Sequence, residues 1–114
     1  MTYSLSTREQ LALIAVRAAT GVEGVVGMHA QPGGVHTTQA GAERVGGVSV
    51  VAGHGEGFDV TLCLSALPVP LHPLAARVRS AVRSRAQIAG LSAAVGVVDV
   101  RFDAVVDSPS VARA

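Results

Sequence analysis

Hydrophobic residues recur at helical spacing in the second half of this chain. From Leu71 to Ala86 they follow one another in steps of one, three or four positions, the period of one face of an amphipathic helix. The apolar positions are Leu71, Leu74, Ala75, Val78, Val82 and Ala86, and the polar positions Arg79, Ser80, Arg83 and Gln87 fall on the other side. Gly90 follows, and glycine commonly closes a helix. The pattern therefore predicts a helix that ends there.

A shorter pattern of the same kind occurs near the start of the chain. Ser6 and Glu9 have the spacing of a capping box, in which each side chain accepts a hydrogen bond from the other residue's backbone N–H. The apolar residues that follow are Leu11, Ile14, Ala15 and Ala18. We predict a helix from about Thr7 to Thr20 that buries these residues and stops at Gly21.

Alternating apolar and polar residues predict strands between and after the two helices. Within Phe58–Ser65 every second residue is apolar, so we expect one face of this strand to be buried and the other, which carries Cys63, to be solvated. The predicted strands are Val22–Ala30, Val48–Ala52, Phe58–Ser65 and Val97–Ala104, the second and third forming a hairpin across Gly53–Gly57. Gln31–Gly47 is dense in Gly, Thr and Gln, and we predict a long loop there that is the first candidate for a binding role.

The predicted order of elements is α-β-β-β-α-β. Two amphipathic helices and an alternating sheet fit an α+β fold. We expect a two-layer sandwich in which both helices pack on one face of a mostly antiparallel sheet of three to four strands. Residues 1–106 should form this single domain, and residues 107–114 should be a flexible C-terminal tail.

The composition narrows the class of protein. With 114 residues, of which 49% are hydrophobic, the chain can build one domain with a core, and a disordered chain is excluded. The formal net charge of +1 provides no global basic field for nucleic acid or an anionic membrane. The single cysteine, Cys63, excludes an internal disulfide and fits a reducing compartment. The first residues do not resemble a signal peptide, and we expect a soluble protein.

The residues able to do chemistry form no motif. The histidines are His29, His36, His54 and His72, and no pair has the spacing typical of a metal site. Cys63 has no nucleophile motif around it. The carboxylates Glu56, Asp59, Asp99 and Asp103 suit the solvated face of strands better than a catalytic pair. We therefore predict no catalytic residues, no metal and no cofactor, and a protein that is not an enzyme.

Two features favour a binding role. Gly21-Val22-Glu23-Gly24 has the Gly-x-x-Gly form of some RNA-binding modules, and four arginines make the second helix basic. One hypothesis is a small KH-like RNA-binding domain that uses both. Against it, Glu23 lies inside the phosphate clamp and the chain has few aromatic residues for base stacking. The other hypothesis is an interaction module that binds a partner through Arg77, Arg79, Arg83 and Gln87.

Several segments together resemble the alkaline shock protein family of bacterial envelope stress response proteins. They are Thr20–Val25, Gly47–Val50, Phe58–Leu62 and the second helix leading through Ala89-Gly90-Leu91 to Val98–Phe102. The resemblance covers roughly Leu11 to Val105 and consists of hydrophobic spacing and glycines. The chain departs from the family at Ala66–Pro70, where the family often has a Tyr-Gly step.

This resemblance implies a non-enzymatic cytoplasmic protein of a Gram-positive or actinobacterial type that acts in cell envelope homeostasis or alkaline stress. It also implies self-association into oligomers. Recruitment to the inner face of the membrane would run through a separate, membrane-anchored partner protein. The expected partner-binding residues are the arginines and Gln87 of the second helix.

Overall fold

The structure is a computed structural model that describes residues 5–30, 37–40, 43–53, 55 and 57–106, apart from the side chain of Glu43. Two helices are present in it, α1 (Thr7–Thr20) and α2 (Leu71–Ile88). The strands are β1 (Val25–Met28), β2 (Thr37–Ala40), β3 (Glu43–Gly46), β4 (Val48–Ala52), β5 (Phe58–Ala66) and β6 (Val95–Val105), and a short 3-10 helix at Ser92–Ala94 leads into β6. The predicted tail, residues 107–114, lies outside the described residues.

Helix α1 begins and ends where the sequence predicted. The Glu9 N–H donates to Ser6 Oγ at 3.2 Å and the Ser6 N–H donates to Glu9 Oε1 at 2.8 Å, which completes the capping box. Its buried residues are Leu11, Ala12, Ala15, Ala18 and Ala19. The helix turns this alanine-rich side to the core, and Ile14, which was expected there, is therefore only partly buried.

Helix α2 buries the predicted face and ends at the predicted glycine. Its buried residues are Leu74, Ala75, Val78, Val82 and Ala86. At its end the Gly90 N–H donates to the Gln87 carbonyl at 3.0 Å and the Leu91 N–H donates to the Ala86 carbonyl at 2.7 Å, which is a Schellman motif. Gly90 has a φ of 77°, a left-handed conformation that favours glycine.

Strand β5 lies at the centre of the main sheet. Strand β6 runs parallel to it over its whole length, from the pair Phe58 and Val95 to the pair Ala66 and Val105. Strand β4 pairs antiparallel with the first half of β5 and β1 with its last three residues. Because β6 occupies one edge of β5, β1 and β4 lie end to end along the other. Of the described strands, none pairs with the second edge of β6.

The predicted loop Gln31–Gly47 is wrong in part, because it contains a second, two-stranded sheet. Strand β2 pairs antiparallel with β3, from Thr37 opposite Gly46 to Ala40 opposite Glu43. The hairpin is attached to the main sheet, since Thr38 Oγ1 donates to the Val48 carbonyl at 2.8 Å and Thr38 is 2% exposed. Short polar strands of this kind show little alternation of hydrophobicity, and tertiary pairing decides them.

The fold class is the predicted one. Both helices pack on the same face of a mostly antiparallel sheet, an α+β arrangement, and the hairpin of β2 and β3 adds two strands to the expected order. The core contains Leu11 and Ala15 of α1, Val78 and Val82 of α2, Val48 and Val50 of β4, Val60, Leu62 and Leu64 of β5, and Val98 of β6.

The other face of the sheet was predicted to be solvated, and at Cys63 this is wrong. Cys63 is 0% exposed although it alternates with core residues of β5. The reason is its central place, because β5 has strands on both sides and Arg101 of β6 lies beside Cys63 in the register. Along β6 the alternation holds, and Val97, Asp99, Arg101, Asp103 and Val105, here called the β6 outer row, are exposed.

Candidate interaction surfaces

Two grooves lie along α2, and three of the four predicted partner-binding residues line them. They have volumes of about 280 Å³ and about 150 Å³. The larger one, here called the α2–β6 groove, is lined by Leu71, His72, Ala75, Arg79, Val100 and Phe102. The smaller one lies further along α2 and is lined by Arg83, Gln87, Ser92 and Val95. Each groove thus combines apolar side chains with one guanidinium group.

Arg83, which lines the smaller groove, is held in place by the backbone of β6. Its Nη2 donates to the Gly96 carbonyl at 2.9 Å. Arg77 is exposed but lies two residues from Arg79, roughly 200° around the helix, so it faces away from the α2–β6 groove. The predicted set of four residues is therefore split, with Arg79, Arg83 and Gln87 on one side of α2 and Arg77 on another.

The Gly21–Gly24 segment serves as the end of α1. The Gly21 N–H donates to the Ala18 carbonyl at 3.3 Å, and Gly21 has an ordinary helical backbone conformation. Gly24 has a φ of 103°, and a Cβ there would lie 3.1 Å from Cδ1 of Leu74. Leu74 precedes Arg79 by five residues, roughly 140° around α2. The glycines and the groove arginines therefore do not form one surface.

The histidines and carboxylates of the described residues do not gather into a site. His29 Nδ1 and Ser65 Oγ are 3.4 Å apart, and His72 lies in the α2–β6 groove. Asp59 Oδ1 accepts a hydrogen bond from the Val97 N–H at 2.9 Å. Within the described part of the chain, no group of three or more His, Cys, Asp and Glu residues could hold a metal ion. His36, His54 and Glu56 lie outside that part.

Cys63 is in an environment that keeps its thiol protonated. Burial raises its pKa to about 11, and a hydrogen bond with the Asp103 carboxylate and the negative charge of that group act in the same direction. Reactive cysteines need a lowered pKa, because the thiolate is the nucleophile. The side chain is therefore a packing residue of the sheet.

A further surface, which sequence reasoning missed, lies where the two helices meet. Its groove of about 360 Å³ is lined by Ile14, Arg17, Arg85, Ile88 and Ala89. Ile88 is 87% exposed, the largest exposure among the large hydrophobic side chains of the described residues. A signal was present in the sequence, because Ile88 follows Ala86 by two positions and so falls outside the period of the buried face.

Neither α1 nor α2 is both long and apolar enough to cross a membrane.

Comparison with known proteins shows that the chain shares its fold with solved structures but does not assign it to a family. No protein-family model matches the chain, and no curated protein matches it in sequence. A single-residue variant of the MamM C-terminal domain (CTD) has a TM-score of 0.56 and 17% identity, over 87% of this chain and 99% of that one. A second variant of the MamM CTD, in its nickel form, has a TM-score of 0.51 and 17% identity, over 84% and 96% of the two chains.

The expected resemblance to the alkaline shock protein family is wrong, because these structural relatives are MamM CTDs and no family model matches. The expected roles in alkaline stress and envelope stress are contradicted with it. The assignment failed because hydrophobic spacing and helix-ending glycines indicate only the order of helices and strands. Folds of different families share that order, so it does not identify one of them.

Proposed function

We propose that this chain is a non-enzymatic interaction domain that associates with itself through β6 and docks on a membrane-anchored partner protein at the cytoplasmic side of the membrane. The observation that carries the proposal is the second edge of β6, which no described strand covers over the 11 residues of this strand. A row of unpaired N–H and C=O groups is a template for a strand of another chain. Pairing with a second copy of the chain gives these N–H and C=O groups hydrogen-bond partners.

Apolar side chains flank this edge on both faces of the sheet. In the β6 outer row, Val97 and Val105 are 62% and 52% exposed. On the other face, Val100 and Phe102 are only partly buried and line the α2–β6 groove. Proteins that stay monomeric usually shorten, cover or heavily charge such an edge. Strand β6 is long, and its three central charges alternate in sign, so they protect it poorly.

The structural relatives support the proposal of an interaction domain. Both are C-terminal domains, and their fold extends over 99% and 96% of the chains compared. The nickel named for one relative is not part of the proposal, because the described residues of this chain offer no group of three potential ligands.

The docking of a partner is proposed at Arg79, Arg83 and Gln87, beside the apolar residues of the α2–β6 groove. Two guanidinium groups next to partly buried apolar side chains suit a segment that carries both carboxylates and an apolar anchor. Arg77 provides a matched control, since it lies on the same helix and faces elsewhere. Replacing Arg79 and Arg83 by Ala should abolish capture of the partner from solubilised membranes, and Arg77→Ala should preserve it.

The experiment that tests self-association is light scattering coupled to size exclusion, at low and at high salt. We expect a dimer or a larger species that persists at high salt, since main-chain hydrogen bonds and apolar contacts are not screened. Val100→Lys should reduce the mass to that of a monomer, because it places a charge in the middle of the open edge of β6. Val26→Lys should not, because Val26 is an exposed valine on β1, across β5 from β6. A strictly monomeric wild-type chain would overturn the proposal.

A further inference from the structure

The pairing of β6 with β5 is regular only at its centre. The register is irregular between Val95 and Val98, and again between Phe102 and Ala104. From Val98 to Phe102 it runs without interruption. Val100 is the midpoint of this regular stretch and also the midpoint of the strand Val95–Val105. Bulges twist an edge away from a neighbour, so the regular stretch is the part of β6 that can accept a new strand.

The charges of this stretch are complementary to themselves about Val100. If a second copy pairs antiparallel with a two-fold axis at Val100, Asp99 of each copy lies opposite Arg101 of the other. Opposite charges placed directly across two strands stabilise the pair, and like charges destabilise it. An axis at Asp99 or at Arg101 would instead place that residue opposite its own copy. An axis at Phe102 would place Arg101 opposite Asp103, but Asp103 lies where the pairing of β6 with β5 is irregular. Within the regular stretch, the alternation of Asp99 and Arg101 therefore selects the axis at Val100.

The existing contact between these two side chains does not prevent the exchange of partners. Within one copy, Arg101 Nε and Asp99 Oδ2 are 3.5 Å apart, and the two side chains are 54% and 55% exposed. Exposed ion pairs of this kind contribute little to stability. Both groups can therefore turn to the opposite strand without loss of a buried interaction.

The apolar residues of the stretch match about the same axis. On the face that packs against the helices, Val98 would lie opposite Phe102 of the second copy, and Val100 opposite Val100. In the single chain Val98 is 4% exposed, whereas Val100 and Phe102 are only partly covered. Pairing would cover these two residues, which border the α2–β6 groove. A shift of the register by one residue would place this apolar row opposite the charged one.

We propose that two copies of this chain pair antiparallel through their β6 edges about a two-fold axis at Val100. This proposal rests on the self-association proposed above. The contact is isologous, so it closes after two copies and produces a dimer with one continuous sheet. The occupant of the open edge is the regular stretch Val98–Phe102 of a second copy.

Disulfide trapping tests the register. In a Cys63→Ala background, which removes the one native cysteine, one chain carries Asp99→Cys and another carries Arg101→Cys. Directly opposite positions have Cβ atoms about 5 Å apart, whereas diagonal positions are about 7–8 Å apart. We expect the mixture of the two chains to form a disulfide-linked dimer under mild oxidation, and each chain alone to form roughly tenfold less.

Charge exchange provides an independent measurement by light scattering. Asp99→Arg places two arginines opposite each other and should yield a monomer, and adding Arg101→Asp in the same chain should restore the dimer. Circular dichroism identifies any variant that does not fold. We expect both variants to fold, because both residues are exposed. Trapping of the Asp99→Cys chain alone would overturn the axis at Val100.

The failures of the two proposals are distinguishable. A wild-type dimer that yields no disulfide in any combination would overturn this register and leave self-association standing on another surface. A wild-type monomer at every concentration would overturn both. A dimer whose mass is unchanged by Asp99→Arg would likewise overturn the role of the charges at this edge.

Discussion

The backbone N–H of Val97 donates a hydrogen bond to Oδ1 of Asp59 at 2.9 Å. Asp59 lies near the start of β5 and Val97 near the start of β6, where the pairing of the two strands is irregular. Small neighbours make room for the carboxylate, because a Cβ at Gly53 or Gly96 would lie 2.8 Å or 2.5 Å from Oδ1. The carboxylate thus replaces a missing strand hydrogen bond and holds the beginning of β6 against the sheet.

Replacing Asp59 by Ala should destabilise the fold. The substitution leaves the Val97 N–H without its acceptor, and we expect a loss of about 1–3 kcal/mol in the free energy of unfolding. Urea unfolding followed by circular dichroism measures it. Asp99→Ala is the matched control, since its exposed ion pair with Arg101 should contribute less than about 1 kcal/mol. Equal losses for the two variants would show that the hydrogen bond to Val97 has no special role.

Replacing Gly96 by Ala should be costly for a related reason. The new Cβ would lie 2.5 Å from Asp59 Oδ1 and 3.2 Å from the Phe58 carbonyl oxygen. Such overpacking typically costs about 1–3 kcal/mol. Gly27→Ala serves as the comparison, because nothing lies within 4 Å of a Cβ at that strand position. Thermal unfolding should show a clear decrease in Tm for Gly96→Ala and little change for Gly27→Ala, and the reverse order would contradict the assigned packing.

The buried thiol of Cys63 predicts a dependence of stability on alkaline pH. Its pKa is raised to about 11 from an ordinary value of 9.0, so the folded state disfavours the thiolate. The stabilisation is complete below pH 9 and is lost as the pH rises towards 11. By about pH 10.5 the wild-type chain should have lost about 2 kcal/mol relative to Cys63→Ala.

Urea unfolding of both chains across this pH range isolates the contribution of the thiol. Asp103→Asn should lower the pKa of Cys63, because it removes the negative charge that opposes ionisation. Alkylation of the folded protein should therefore be faster in that variant than in wild type. Identical pH profiles for wild type and Cys63→Ala would exclude a raised pKa at this site.

The capping box predicts the effect of Ser6→Ala. The substitution removes the acceptor of the Glu9 N–H at the start of α1 and should cost about 1 kcal/mol. Thr7→Ala removes a neighbouring hydroxyl inside the first turn and should be neutral or slightly stabilising, since alanine has the higher helix propensity. Chemical denaturation of the two variants compares them directly, and a similar cost for both would mean that the cap does not support the helix.

Local signals in the sequence predicted the helices and most of the main sheet. The Ser6 and Glu9 pair marked the start of α1, and Gly90 marked the end of α2, because capping and helix termination depend on residues within one turn. The alternation in Phe58–Ser65 likewise identified β5, whose side chains point to two different environments.

Residues distant in sequence decided the remainder. The hairpin of β2 and β3 depends on Thr38 bonding to Val48, and the burial of Cys63 depends on β6 lying beside β5. Likewise, the packing of α2 on β6 decided that the side of the helix with Arg79 and Arg83 lines the grooves. The family assignment was wrong because hydrophobic period is shared by unrelated folds.

The sequence by itself therefore determined the two helices, the four strands of the main sheet, the α+β class and the alternating faces of β6, since these follow from residues that are neighbours along one helix or strand. Only the tertiary structure decided that β6 is an edge strand, that its regular centre lies at Val100, and that a groove runs beside it. Strand order and register arise from pairing between segments far apart in the chain, and no local pattern encodes which edge stays open.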